Sequence, residues 1–260
     1  FTPMLGVPLH GSRRQHGLKF EIVHGGHVNA VVLQRRGYVE SDSPPIYLIP
    51  GMTADYPVYS RILPLLPNAT VVDFIPPEPQ ESLLNYASRM ARHLPSRSFI
   101  AGVSFGGIIA LEIARILRPH GCILISSILH PRELPPWFRA WRIIGGRRCS
   151  ALLQCVGSSA SLVPRSICTS TTIRATKLAG TGGKWHRWAT AAVIDWQPEP
   201  TIEFCPILQI HGTADTTFPI RYTHPNVSVL GGRHALPISH PTETANAIRA
   251  FTKAAELIRL

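Results

Sequence analysis

The pentapeptide Gly102-Val103-Ser104-Phe105-Gly106 has the pattern G-x-S-x-G. It lies where an apolar run, Phe99 to Val103, meets an apolar helical segment beginning at Gly107. A serine in a sharp strand-to-helix turn sits on crowded backbone and needs small neighbours, which Gly102, Gly106 and Gly107 supply. Such a turn lifts the hydroxyl clear of the sheet and aims helix N–H groups at whatever it attacks. The chemistry this suits is nucleophilic attack. A hydroxyl is a poor nucleophile at neutral pH, so a base and an orienting acid are required.

Downstream, the apolar run Ile207-Leu208-Gln209-Ile210 leads into His211-Gly212-Thr213-Ala214-Asp215, just ahead of Phe218-Pro219. A carboxylate at a strand's C-terminal end faces the same sheet edge as Ser104, which makes Asp215 the preferred acid. Nineteen residues later, Gly231-Gly232-Arg233-His234 offers a loop that can fold back over that edge and bring His234 to Ser104. The order Ser104, Asp215, His234 is the one a strand–turn–helix nucleophile calls for. His240 is a rival base, but it precedes Pro241 at a helix start. Asp195 is a rival acid, set beside Trp196 in a segment outside the sheet, and after the Cys122 to Ile128 run the first carboxylate is Glu133. A tetrahedral intermediate also needs two aimed donors. One is the N–H of Phe105, after the nucleophile; the other is assigned by position to Met52, in the loop after Pro45 to Pro50.

These residues need a scaffold, and the chain reads as α/β. Strand-like runs occur at Pro45 to Pro50, Thr70 to Ile75, Ser98 to Val103, Cys122 to Ile128, Pro206 to Ile210 and Val227 to Leu230. Helical patterns fall between them: Glu81 to Leu94, with an apolar stripe of Leu83, Leu84, Tyr86, Ala87, Met90, Ala91 and Leu94; Gly107 to Leu117; and Thr242 to Ile258. Near-continuous apolar strands alternating with helices imply a mostly parallel sheet covered on both faces. Lys19 to Val23 and Asn29 to Gln34, separated by Gly25-Gly26, read as a hairpin. The stretch from His130 to Thr201 breaks the alternation. It is rich in Arg, Trp, Ser and Pro, and Trp185, Trp188, Ala192 and Trp196 follow a helical spacing that would pack them against the sheet domain. The expected division is a core of residues 1–130 and 201–260 with a basic helical cap at 131–200.

The chain has 260 residues, 45% of them hydrophobic, which is ample for a buried core and outside the disordered range. Twenty-six Lys and Arg against fifteen Asp and Glu give a formal charge of +11. Residues 131–200 hold ten of those cations against three acids, a net of +7, so the imbalance gathers in the cap. A solvated basic surface is the plain reading; the sharper one is steering of an anionic or carrier-bound acyl substrate. The cations are dispersed and no nucleic-acid motif accompanies them, which weighs against a nucleic-acid partner. Cys122, Cys149, Cys155, Cys168 and Cys205 show no metal-like spacing and read as reduced thiols. No apolar run reaches the length of a membrane span, and residues 1–20 hold no signal-like core. The expectation is a cytoplasmic protein needing neither cofactor nor metal, its oligomeric state not encoded in any pattern.

Four segments together, Ile49 to Met52 (IPGM), Gly102 to Gly107 (GVSFGG), His211 to Pro219 (HGTADTTFP) and Gly231 to Pro241 (GGRHALPISHP), resemble the α/β-hydrolase superfamily, without identifying a subfamily. The resemblance implies an eight-stranded, mostly parallel sheet, a helical cap after the sixth strand and a Ser-His-Asp mechanism. The chain departs from it in having Pro50-Gly51 where many members have His-Gly. The expectation is cleavage of a carboxylic ester or thioester. Acyl transfer and amide or lactone hydrolysis use the same constellation, and a non-catalytic binding protein on this fold is the alternative of a different class.

Overall fold

The computed structural model describes residues 43–53, 56–136, 138, 183–198 and 204–257. The hairpin expected within residues 19–34, most of the segment expected to form a cap, and Cys149, Cys155 and Cys168 lie outside the described residues. Among the described residues six strands follow in chain order, of the eight that the resemblance implies: β1 (Ile46–Ile49), β2 (Ala69–Val71), β3 (Phe99–Val103), β4 (Gly121–Ile125), β5 (Ile207–Gly212) and β6 (Val227–Val229). All pair in parallel, in the order β2-β1-β3-β4-β5-β6. The chain runs outward from β1 to β2 and then crosses back to β3. The β1/β3 boundary is therefore the switch point where sheets of this kind open a crevice at the strands' C-terminal ends.

Strand residues divide by parity, as a sheet buried on both faces requires. Ile100, Cys122 and Leu124 point to one face; Phe99, Ala101, Val103, Ile123 and Ile125 point to the other. The first face is covered by α1 (Leu83–Ala91), α2 (Phe105–Leu117) and α3 (Gly183–Asp195). The second is covered by short 3-10 turns at Tyr56–Tyr59 and Leu63–Leu65, by α4 (Leu236–Ser239) and by α5 (Pro241–Leu257).

Helix α1 starts where Ser82 Oγ accepts the Asn85 N–H at 3.2 Å, a side-chain N-cap. Its buried stripe is Leu83, Tyr86, Ala87, Met90 and Ala91. Leu84, read from the sequence as part of that stripe, is 44% exposed. One residue on from Leu83 is a rotation of about 100°, which carries its side chain off the buried face.

Helix α2 is buried without interruption from Phe105 to Ala114, because the sheet, α1 and α3 enclose it. Its one buried acid, Glu112, accepts the Trp196 indole N–H at 2.8 Å and lies 3.5 Å from Arg115 Nε. Helix α3 holds the helical spacing read from the tryptophans, and Trp185, Ala189, Ala192, Val193 and Trp196 join the first-face core. Cys122 is buried, Cys205 is half-buried, and neither is in a disulfide. No helix among the described residues is long and apolar enough to cross a membrane.

Candidate active site

Ser104 occupies the single residue between β3 and α2, at φ 55° and ψ −123°. That backbone conformation costs a non-glycine residue roughly 1–3 kcal/mol and persists only where its surroundings over-determine it. The surroundings here are backbone. A Cβ on Gly102 would fall 2.1 Å from the Gly106 carbonyl oxygen, and one on Gly106 would fall 2.1 Å from that of Pro50. The end of β1, the end of β3 and the first turn of α2 thus meet without side chains between them. The Ser104 N–H donates to Ile125 O at 2.9 Å, and its carbonyl accepts from the Gly107 N–H at 2.9 Å and the Ser127 hydroxyl at 2.7 Å.

Asp215 follows β5 in a tight turn closed by its own N–H to Gly212 O at 3.2 Å. The neighbouring Thr213 and Ala214 N–H groups donate to Val229 O and Gly232 O at 3.0 and 2.9 Å. In return, the Gly231 N–H donates to the Thr213 hydroxyl at 2.8 Å, from a glycine at φ 69° that a side chain would strain. These bonds lace the loop after β6 to the loop after β5, and so bring His234 to Asp215.

His234 Nδ1 lies 2.8 Å from Asp215 Oδ2, and its Nε2 lies 2.8 Å from Ser104 Oγ. An ionised carboxylate only accepts, so Nδ1 carries the proton and Nε2 presents its lone pair to the Ser104 hydroxyl. The Asp215 side chain is fully buried, and that burial alone would push its carboxyl pKa up. Hydrogen bonds from His211, His234 and the Phe218 N–H outweigh it, holding the group well below the usual carboxylate range. Asp215 Oδ1 takes the Thr217 and Phe218 N–H groups at 2.8 and 3.0 Å.

His211 is the contact that reading the sequence missed. It is fully buried, its Nε2 2.6 Å from Phe218 O and 3.3 Å from Asp215 Oδ2. Both partners accept, so Nε2 carries the proton, directed at Phe218 O with Asp215 beside it. The available signal was position: His211 stands in a buried strand four residues before the acid.

The rivals fall elsewhere. Glu133 Oε2 is taken by the Leu129 N–H and Gln209 Nε2 at 2.8 and 3.0 Å, Asp195 is exposed at the end of α3, and His240 Nδ1 contacts Ser239 Oγ.

Of the two residues expected to supply oxyanion donors, Phe105 follows Ser104 directly and Met52 follows Gly51. A Cβ on Gly51 would lie 3.6 Å from Ser104 Cβ, which sets Gly51, the residue before Met52, against the Ser104 side chain. Phe105 opens α2, where the first N–H groups have no partner within the helix. Among the described residues no backbone carbonyl accepts from the Met52 or Phe105 N–H. Phe74, Phe105 and Trp185 pack together as an aromatic cluster, with Phe74 and Trp185 ring centroids 4.6 Å apart. No group of three or more His, Cys, Asp or Glu side chains among the described residues could hold a metal ion.

No protein-family model and no curated protein matches the chain. Solved structures do. An esterase from Thermogutta terrifontis, with malate bound, superposes with a TM-score of 0.57 at 18% identity, covering 87% of this chain and 93% of the esterase. The haloalkane dehalogenase DbeA from Bradyrhizobium elkani gives 0.59 at 16% identity, over 88% and 100%. The type II thioesterase BorB from the borrelidin biosynthetic cluster gives 0.55 at 16% identity, over 85% and 97%. The chain has the α/β-hydrolase fold, with helices on both faces of its parallel sheet.

Proposed function

We propose that the chain is a serine hydrolase that cleaves a carboxylic ester or thioester through an acyl-enzyme. One observation carries this reading: the unbroken relay from Ser104 Oγ to His234 Nε2, and from His234 Nδ1 to Asp215 Oδ2, each step 2.8 Å. Ser104 Oγ attacks the acyl carbon as His234 Nε2 takes its proton, and the Met52 and Phe105 N–H groups receive the oxyanion. Collapse of the tetrahedral adduct breaks the bond to the leaving group, which departs with the proton from His234. A water then gives its proton to His234, attacks the acyl-enzyme and releases the acid, and Ser104 regains its hydrogen. Asp215 keeps the imidazole in the required tautomer throughout. Esterase and thioesterase neighbours of this fold support the same class. The dehalogenase neighbour does not redirect it, because that chemistry wants a carboxylate where Ser104 stands.

Residues 131–200 are proposed as a basic cap that draws an anionic acyl substrate to the site. Lys184 and Arg187 are exposed on α3 and belong to that charge. Equal salt dependence of kcat/KM for charged and neutral esters would refute the steering. For the nucleophile, the test is labelling by a fluorophosphonate probe in the wild type and in Ser104→Ala. Wild-type labelling lost in the variant is expected; equal labelling of both, or of neither, would overturn the assignment.

A further inference from the structure

An oxyanion donor works only if it is aimed before charge develops. The Met52 N–H belongs to a peptide whose other residue is Gly51, and a glycine leaves that peptide free to turn. Something outside the loop has to hold it. Helix α3 supplies two contacts to this one residue. The Trp185 indole N–H donates to the Met52 carbonyl at 2.9 Å, and the Thr190 hydroxyl lies 3.8 Å from Met52 Sδ.

Trp185 is itself immobilised. It is 4% exposed and packed among Phe74, Phe105, Tyr86 and Trp188. Its neighbour Trp188 is tied down in a different place, donating to the Glu81 carbonyl at 2.9 Å. Two indoles of one helix therefore make chemically equivalent bonds to the core, and only one of them reaches the loop beside Ser104.

We propose that Trp185 is a positioning residue for the oxyanion loop: its indole N–H holds the Met52 carbonyl, in the peptide that follows the oxyanion-binding one, and so anchors the Met52 Cα from which the Met52 N–H is aimed. The inference rests on the reading of Ser104 and Met52 given above. It makes α3 a part of the catalytic apparatus as well as of the core, and it separates this helix's role from simple packing.

The experiment compares the wild type with Trp185→Phe and Trp188→Phe, using a para-nitrophenyl ester as substrate and a trifluoromethyl ketone as an oxyanion-forming inhibitor. Trp185→Phe should lower kcat and inhibitor affinity together by about tenfold, the worth of one aimed hydrogen bond, with KM little changed. Trp188→Phe should leave kcat and inhibitor affinity near wild type while lowering the melting temperature. Where Trp185→Phe does not fold, benzothienylalanine at position 185 keeps the bicyclic shape, replaces the N–H with sulfur, and should give the same kinetic loss. Wild-type kcat and inhibitor affinity in the donor-less protein would overturn the positioning role and leave the serine mechanism standing. Equal losses in the two Phe variants would also overturn it, because general docking of α3 would then be the cause. A wild-type protein that neither turns over the ester nor takes the fluorophosphonate would remove both readings.

Discussion

Replacing Asp215 with asparagine changes almost no volume and so isolates what the second carboxylate oxygen does. Oδ1 faces two backbone donors, Thr217 N–H and Phe218 N–H, so the amide oxygen of asparagine must take that place. The amide NH2 is then forced toward His234 Nδ1 and His211 Nε2. His211 cannot turn to receive it, because its Nε2 proton is committed to Phe218 O at 2.6 Å. His234 can, by shifting its proton to Nε2. In that tautomer Nε2 donates to Ser104 Oγ and can no longer accept the nucleophile's proton. The loss expected from a wrong tautomer in a Ser-His-Asp system is on the order of 10⁴ in kcat. That corresponds to about 5 kcal/mol of transition-state stabilisation. Steady-state hydrolysis of a para-nitrophenyl ester measures it, with circular dichroism to verify that the fold is intact. Asp195→Asn, at an exposed site, should match the wild type. An Asp215→Asn protein keeping more than about a tenth of wild-type kcat would refute the tautomer argument, since so small a change is within about 1.4 kcal/mol. Loss in Asp195→Asn with Asp215→Asn active would move the acid to the other residue.

Three further outcomes follow from the same contacts. Because the Asp215 pKa is lower folded than unfolded, the stability it contributes is present above the unfolded carboxylate pKa of about 4 and is lost as pH falls through the folded value. Urea melts should therefore show the wild type's advantage over Asp215→Asn at neutral pH and its shrinkage in acid; a constant gap would contradict the linkage. Gly106→Ala should destabilise the protein by at least the upper part of the roughly 1–3 kcal/mol range for overpacking, since its Cβ would meet the backbone oxygens of Pro50 and Ile49 at 2.1 and 2.3 Å. A soluble variant with wild-type melting temperature would show that this crossing is slack. Trp196→Phe should cost about 1–3 kcal/mol in urea unfolding, because it strips an indole donor from the buried Glu112, and kcat should hold.

The parts of the site that were legible are those governed by turn chemistry at strand ends. Gly102 and Gly106 announce a crossing where no Cβ fits, and Gly231 a backbone turn at positive φ; both are local requirements written as residue types. Continuous apolar runs revealed the strands because a sheet buried on both faces leaves no polar side to show. The ends of those runs were less legible. The Thr70 to Ile75 run yields a strand of only Ala69–Val71, after which Val72 makes one last bond to Leu48 O before the chain departs. Contacts made at long range left no trace in any pattern. Trp185 finds Met52 across 133 positions, and a helical tryptophan spacing predicts burial without naming an acceptor. His211 belongs to a visible motif, yet its bond to Phe218 O depends on how the intervening loop closes.

The three residues of the relay differ in how firmly each is held, and the differences suit their tasks. Asp215 is fully buried and receives three donors, two from backbone and one from His234, with the His211 imidazole a further 3.3 Å neighbour, so its position is over-determined. In the proposed mechanism a fixed acid keeps His234 in one tautomer while protons pass through its other nitrogen. The His234 ring is 22% exposed and rests edge-on against Phe218, with ring centroids 5.5 Å apart. The proposed mechanism needs that exposure, since in it the same Nε2 meets Ser104, then a leaving group, then water, and a fully buried ring could reach only the first. Ser104 is held through its backbone, with the elbow's strain set by contacts among β1, β3 and α2, while Oγ bonds to nothing but the imidazole among the described contacts. Rigidity is concentrated behind the reacting atoms and relaxed at the point where substrate must enter. A substitution at Asp215 or in the elbow should therefore act through geometry and reduce kcat, whereas changes on the exposed side of His234 should act through access and appear first in KM.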